Sequence, residues 1–265
     1  MTGFRTGFAP GVSLGLVPGA DALFAGLLQL AAGKPVFTAD YYIIDPTSGK
    51  VLAFVDWNDP THLLIQTTTA LQVRPPAPSD RFNGRLAITN SLAAVQYTSN
   101  RAASAFRYLH DGTGCTVLHV FARSGSTSGF QALSATARNN AAVQGHNFYF
   151  NGGVTPAHLT RNGATTVFSG SSAAAGTGGT YATMDYQTSV ECAAYTKSAR
   201  TGLTVVNPPA ATDPDRTLTI LNGTVAPSDF YYQGEWAASA FTTLWSAATR
   251  SAWQEYLRAA YRITP

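Results

Sequence analysis

From Tyr41 onward the chain is a succession of short β-prone runs cut off by turn residues, and this pattern constrains the fold more than any other feature. The runs are Val51–Trp57, Thr116–Phe121, Asn147–Phe150, Leu203–Val206, Arg216–Leu221 and Phe230–Trp236. Between them stand Pro75-Pro76-Ala77-Pro78, Ser124–Gly129, Ser169–Ser172 and Asn207-Pro208-Pro209, residues that fix or permit turn geometry. Ala173–Thr180, with Gly176, Gly178 and Gly179, reads as an exposed small-residue loop. No helical crossovers alternate with the strands, so a parallel α/β sheet is disfavoured and antiparallel pairing is expected. With 265 residues, 45% of them hydrophobic, one large sandwich domain can bury a full core.

Two segments depart from the β pattern. Near the start, Phe24, Leu27, Leu28 and Ala31 repeat at helical spacing before Gly33, which predicts a helix from about Ala20 within a Gly/Pro-rich arm. Its apolar face needs a dock, either the sandwich or a neighbouring chain. At the other end, Trp253, Tyr256, Leu257, Ala260 and Tyr261 fall on one face of a helix expected over 249–262, with Arg250, Glu255 and Arg258 opposite. The expected organisation is an arm over residues 1–40 for attachment or docking and a sandwich over 41–265 closed by that helix.

Charged residues are only 12% of the chain, against about 25% in average globular proteins. A neutral, polar surface suits a protein covered by neighbours or carrying neutral ligands. The net charge of +3 is spread out, with no row of Lys or Arg to neutralise phosphates, so nucleic-acid binding is not expected. Ala22–Ala32 is about half of a membrane-spanning length, so no membrane insertion is expected. Pro10 and Pro18 interrupt any secretory signal, and a chain keeping Met1 is expected to carry no cleaved one. Cys115 and Cys192 read as two buried thiols, and His62, His110, His119, His146 and His158 lack metal-ligand spacing, so neither metal nor cofactor is expected.

The order of several motifs resembles the laminin G-like and concanavalin A-like domains of phage and bacterial surface proteins. Val55-Asp56-Trp57, His62–Gln66 and Arg74-Pro75 are similar to that family's opening strand, polar loop and "Q…P" segment. Asn83–Ile88, Ala105–Gly112 and Cys115–Phe121 resemble its entry into the main sheet. Leu218–Asn222, Tyr232–Trp236 and Glu255–Ile263 resemble its closing strands and terminal helix, although the acid here, Glu235, directly follows Gly234. The resemblance covers roughly Tyr41 to Pro265. It implies an antiparallel concanavalin A-like jelly-roll β-sandwich. It further implies a component at a virion or tail-like particle surface, made in the host cytoplasm, whose partners are other particle proteins and copies of itself. Decoration or assembly of the particle is the expected role; receptor binding to a cell-surface glycan is the alternative.

Because concanavalin A-like folds include glycosidases, the residues must be tested for chemistry. Retaining hydrolysis needs two carboxyl groups about 5 to 5.5 Å apart. Glu191, Glu235 and Glu255 are scattered, and Asp213 and Asp215 flank Pro214 in a turn. Asp56 and Asp111 read as turn caps or strand-end acceptors, and Asp111 lacks the acidic neighbours of a calcium site. A serine elbow is missing, since Thr127 stands where it needs serine. Cys115 and His119, on one strand face, are about 13 Å apart. Catalysis is therefore not expected, and a polysaccharide-degrading enzyme is the least favoured reading. For carbohydrate binding, Tyr149, Asn151, Tyr231 and Tyr232 supply rings and hydrogen-bonding groups near turns, with core or subunit packing as the competing role.

Overall fold

The computed structural model describes residues 28–29, 31–91, 95–122, 131–137, 143–150, 212–222 and 232–263 with side chains. It describes residues 123, 151, 155–162, 165–171, 180–187, 191–196 and 199–203 as backbone strand. Two antiparallel sheets and one C-terminal helix form a jelly-roll β-sandwich. The eight-stranded sheet runs β15 (Ala199–Leu203), β14 (Glu191–Thr196), β13 (Thr180–Gln187), β8 (Cys115–Arg123), β17 (Gly234–Thr243), β6 (Leu86–Asn90) and β5 (Ala77–Pro78), with β1 (Val36–Thr38) also paired to β17. The nine-stranded sheet runs β12 (Thr165–Ser171), β11 (Thr155–Asn162), β10 (Gly145–Asn151), β9 (Gln131–Ala135), β16 (Thr219–Ile220), β7 (Tyr97–Ser99), β4 (Leu63–Ile65), β3 (Val51–Val55) and β2 (Tyr42–Ile44).

Strand β8 shows how sequence sets the layers. Val117 and Phe121 enter the core between the sheets with Phe54, Tyr97, Leu133, Phe148, Phe150, Trp236 and Phe241. The alternate residues Leu118, Val120 and Ala122 enter a second core on the outer face. A strand buried on both faces must be apolar at nearly every position, which is why Thr116–Phe121 stands out in the sequence. Partner β17 obeys the same logic through a bulge. Trp236 pairs with Phe121 and Ala238 with Val120, leaving Ala237 as an extra residue. The bulge shifts the alternation, so that Trp236 and Phe241 point between the sheets while Ala237, Ala238 and Ala240 face outward.

That outer face is covered by helix α1 (Ala247–Tyr261). Ser246 caps it by accepting from the Thr249 N–H at 3.1 Å, and Arg262 ends it in the left-handed conformation at φ +55°. Trp253, Tyr256, Leu257, Ala260 and Tyr261 are all buried, as their spacing predicted. Alanines of β17 share the outer core with the helix, and Arg85 donates to the Ala260 carbonyl at 3.0 Å, placing a cation at the negative end of the helix. Leu28 and Ala31 pack against the same outer core. Most of the arm, including its Phe24 and Leu27, lies outside the described residues; its last part, Val36–Thr38, is sheet.

A buried polar bridge also joins the two sheets. The Trp236 indole donates to Ser239 Oγ (2.8 Å), which meets His119 Nδ1 (2.7 Å), and His119 Nε2 meets Ser134 Oγ of β9 (3.0 Å). Gly145, at φ +138°, starts β10 where a Cβ would lie 2.7 Å from the Thr136 carbonyl oxygen and 2.9 Å from the Ala137 Cβ. Gly145→Ala is expected to lower the unfolding free energy by about 2 kcal/mol or more, read from urea denaturation; an unchanged midpoint would contradict this geometry.

Candidate functional site

A groove of about 620 Å³ runs along the β5–β6 edge, lined by Lys50, Gln72, Val73, Arg74 and Pro75 on one side and by Ala77, Ala87, Thr89 and Ser91 on the other. The 66–73 segment that forms one wall is largely irregular and held by side chains. Gln72 donates to the Gln66 carbonyl (2.9 Å) and accepts from Ser48 Oγ (2.9 Å), while Gln66 donates to the Gln96 carbonyl (2.7 Å). Tyr97 Oη accepts the Val73 N–H (3.1 Å) and donates to the Val51 carbonyl (2.7 Å); burial raises this phenol well above its ordinary range, keeping it a donor. The wall is thus fixed in advance of any ligand. Lys50 Nζ donates to the Thr69 carbonyl at 3.0 Å, whereas Arg74 is exposed.

Of the four residues expected to meet a sugar, only Tyr149 and Tyr232 have described side chains, and these two do not converge. Tyr149 lies on β10 between Phe148 and Phe150, which point inward, so its half-buried ring is on the outer face of the nine-stranded sheet. Its register partners are Ala132 and Ala157. Asn151 ends β10, its side chain outside the described residues, and Tyr231 lies outside them altogether. Tyr232 is a correction. Its ring is fully buried between Phe121 and Phe150, and its hydroxyl donates toward the Ala122 carbonyl at 2.8 Å. A tyrosine whose ring fills the core and whose hydroxyl ties two strands together has no face left for a ligand. Also on the outer face of the nine-stranded sheet is a depression of about 210 Å³ lined by Gln96, Thr98, Arg216, Thr217 and Thr219.

The acids occupy distinct settings. Glu235 accepts from Ser79 Oγ (3.1 Å) and lies 3.5 Å from Arg81. Asp213 is exposed and accepts from Arg107 Nε at 2.9 Å, and Asp111 caps the turn at Thr113. Asp56 is buried in a relay that spacing did not reveal. Its Oδ1 accepts the N–H groups of Val36 (3.1 Å) and Asn58 (2.9 Å), its Oδ2 meets His62 Nδ1 (2.9 Å), and His62 Nε2 meets Ser99 Oγ (2.8 Å). The order of atoms is that of an Asp–His–Ser triad. However, the imidazole is packed on Phe37 and Phe106, and Ser99 Oγ also accepts the Arg101 N–H at 3.0 Å. The N–H groups of Ser99 and Asn100 are taken by the Leu218 and Leu63 carbonyls, which leaves neither as an oxyanion donor. The relay therefore acts as a clamp joining β1, the end of β3 and β7.

Two other histidines give the fold a pH dependence. Burial lowers His119 well below its ordinary value and His146 to about 3. The unfolded chain protonates both near pH 6.5 while the folded protein keeps them neutral, so stability is full above that pH and declines below it. Each ring contributes up to about 1.4 kcal/mol per pH unit of decline. Urea midpoints are expected to be level from about pH 8 to 7 and to fall steadily toward pH 4; a level profile down to pH 4 would refute the assignment.

No family model and no curated protein matches the chain. Solved structures do match in shape. A Trypanosoma rangeli sialidase in complex with 2,3-difluoro-KDN shares 11% identity at a TM-score of 0.54, over 86% of this chain and 33% of the sialidase. A mutant GH54 α-L-arabinofuranosidase soaked with 4-nitrophenyl α-L-arabinofuranoside shares 12% identity at the same TM-score, over 80% of this chain and 51% of that one. The CBM40 of a Ruminococcus gnavus IT-sialidase, bound to α2,3-sialyllactose, aligns at 9% identity and a TM-score of 0.45, over 64% of this chain and 100% of the module. The fold is a jelly-roll β-sandwich of two antiparallel sheets. At these identities the likeness shows the fold alone, and the chain spans about half or less of either enzyme. The expectation that catalysis is absent is nevertheless overturned, because this architecture is carried by two glycoside hydrolases. Isolated glutamates in a sequence are no ground for excluding an enzyme when the fold itself brings distant strands together.

The groove residues are only partly visible in the sequence. Arg74 and Pro75 stand in the motif resemblance, in its "Q…P" segment, but Gln72, Thr89 and Ser91 join them only through tertiary structure. No spacing signal connects residue 50 to residues 89 and 91.

Proposed function

We propose that the chain is a carbohydrate-recognising component of a phage virion or tail-like particle surface. The observation that carries carbohydrate recognition is the groove at the β5–β6 edge. It is concave, of a volume suited to a short oligosaccharide, and combines amide, hydroxyl and cationic groups with the flat aliphatic faces of Pro75, Ala77 and Ala87. The same sandwich in glycan-acting proteins supports this reading. The particle setting rests on the low charge of the surface and on the motif resemblance to phage surface proteins; other particle proteins and copies of the chain would be its partners. Binding of the purified protein to an array of neutral and acidic glycans tests recognition, and an array without any retained glycan would sink it. Antibodies to the chain should decorate purified particles. Particles lacking it should fail to attach to cells if it recognises the host, or should be unstable if it reinforces the particle.

A further inference from the structure

We infer that the groove at the β5–β6 edge selects an acidic sugar, through Arg74 and Lys50. The inference rests on the carbohydrate reading above and names the ligand class. Only 12% of the chain is charged, yet among the described residues both charged side chains lining this groove are cations, and no carboxylate lines it. Two acids of neighbouring segments make contacts of their own. Glu235, the register partner of Thr89, is held by Ser79 and Arg81. Asp45, near Gln72, accepts the Thr47 N–H, which together with Ser48 and Gln72 lowers its carboxyl below the ordinary value.

Arg74 has no hydrogen bond or ion pair among the described residues, so its planar fork is available for a bidentate carboxylate. Lys50 is held over the groove by the Thr69 carbonyl and retains donors for a second oxygen. On the opposite wall the exposed Thr89 and Ser91 present hydroxyls suited to sugar hydroxyls, while Pro75 and Ala77 offer apolar contact to the ring. A neutral sugar would leave the guanidinium unpaired, which is the basis of selection.

Isothermal titration with an oligogalacturonide tetramer and with its carboxyl-reduced, neutral counterpart tests this. The acidic tetramer is expected to bind about tenfold or more tightly, with that advantage shrinking as salt rises from about 50 to about 300 mM. Arg74→Ala should abolish the advantage and Arg74→Lys should restore part of it; because Arg74 is exposed, both variants should keep the wild-type melting temperature. Arg258→Ala, on the exposed face of the helix, should change nothing. Equal binding of both tetramers, or an acidic preference insensitive to Arg74→Ala, would overturn the inference while leaving carbohydrate recognition standing. Failure of either tetramer and of every arrayed glycan to bind would remove both.

Discussion

Asp56→Ala is expected to lower the unfolding free energy by about 3 to 5 kcal/mol. The carboxylate is 1% exposed and accepts from two backbone N–H groups and one imidazole. Alanine would strand all three donors in a site where water cannot replace the lost acceptor, and each stranded donor costs about 1 to 3 kcal/mol. It would also remove one of the links between β1 and the end of β3, the Val36 N–H bond, while the Trp57 N–H bond to the Val36 carbonyl (2.9 Å) remains. Asp56→Asn keeps one oxygen for the backbone donors but removes the charge facing His62, so its loss should be intermediate. Urea unfolding followed by tryptophan fluorescence measures both. A loss under about 1 kcal/mol for the alanine variant would show that the relay is not a clamp.

Trp253→Ala should be comparably damaging for a different reason. The ring is 4% exposed and sits between Trp245 and Tyr256, with centroids 5.7 and 5.2 Å away. Its indole N–H has no partner among the described residues, so truncation breaks packing without breaking a hydrogen bond there. Large-to-small changes of this kind cost about 3 to 5 kcal/mol. For a domain of this size that corresponds to a fall of roughly 10 °C in melting temperature. Scanning calorimetry should show that fall. A variant melting within a degree or two of wild type would mean that the helix contributes little to holding the outer core.

Much of this architecture is legible from residues alone. The terminal helix is readable because five apolar positions keep a period near 3.6, and every one of them is buried. The central strand is readable because both of its faces are covered. Strand β17 is not: only Trp236 and the residues before it look strand-like, whereas the strand continues to Thr243. Its Ala-Ala-Ser-Ala stretch lacks a period of 2 because the bulge at Ala237 breaks the alternation, and its small side chains are chosen by the helix above them. The aromatic signal at Tyr232 is real but comes from the core, because burial and ligand stacking favour the same side chains. The groove is the least legible, since its members come from separate segments and owe their placement to Gln72, Gln66 and Tyr97, of which only Gln66 falls within a motif.

The position of β17 also governs the order in which the fold can be completed. It occupies the middle of the eight-stranded sheet, yet every strand it joins comes much earlier in the chain; Thr242 bonds to Thr116, 126 residues before it. Until β17 emerges during translation, β8 and β6 lack the neighbour that separates them, and the outer β8 face still lacks the helix that covers it. The preceding strands must therefore wait as an open, apolar edge, so folding should be slow and should depend on β17.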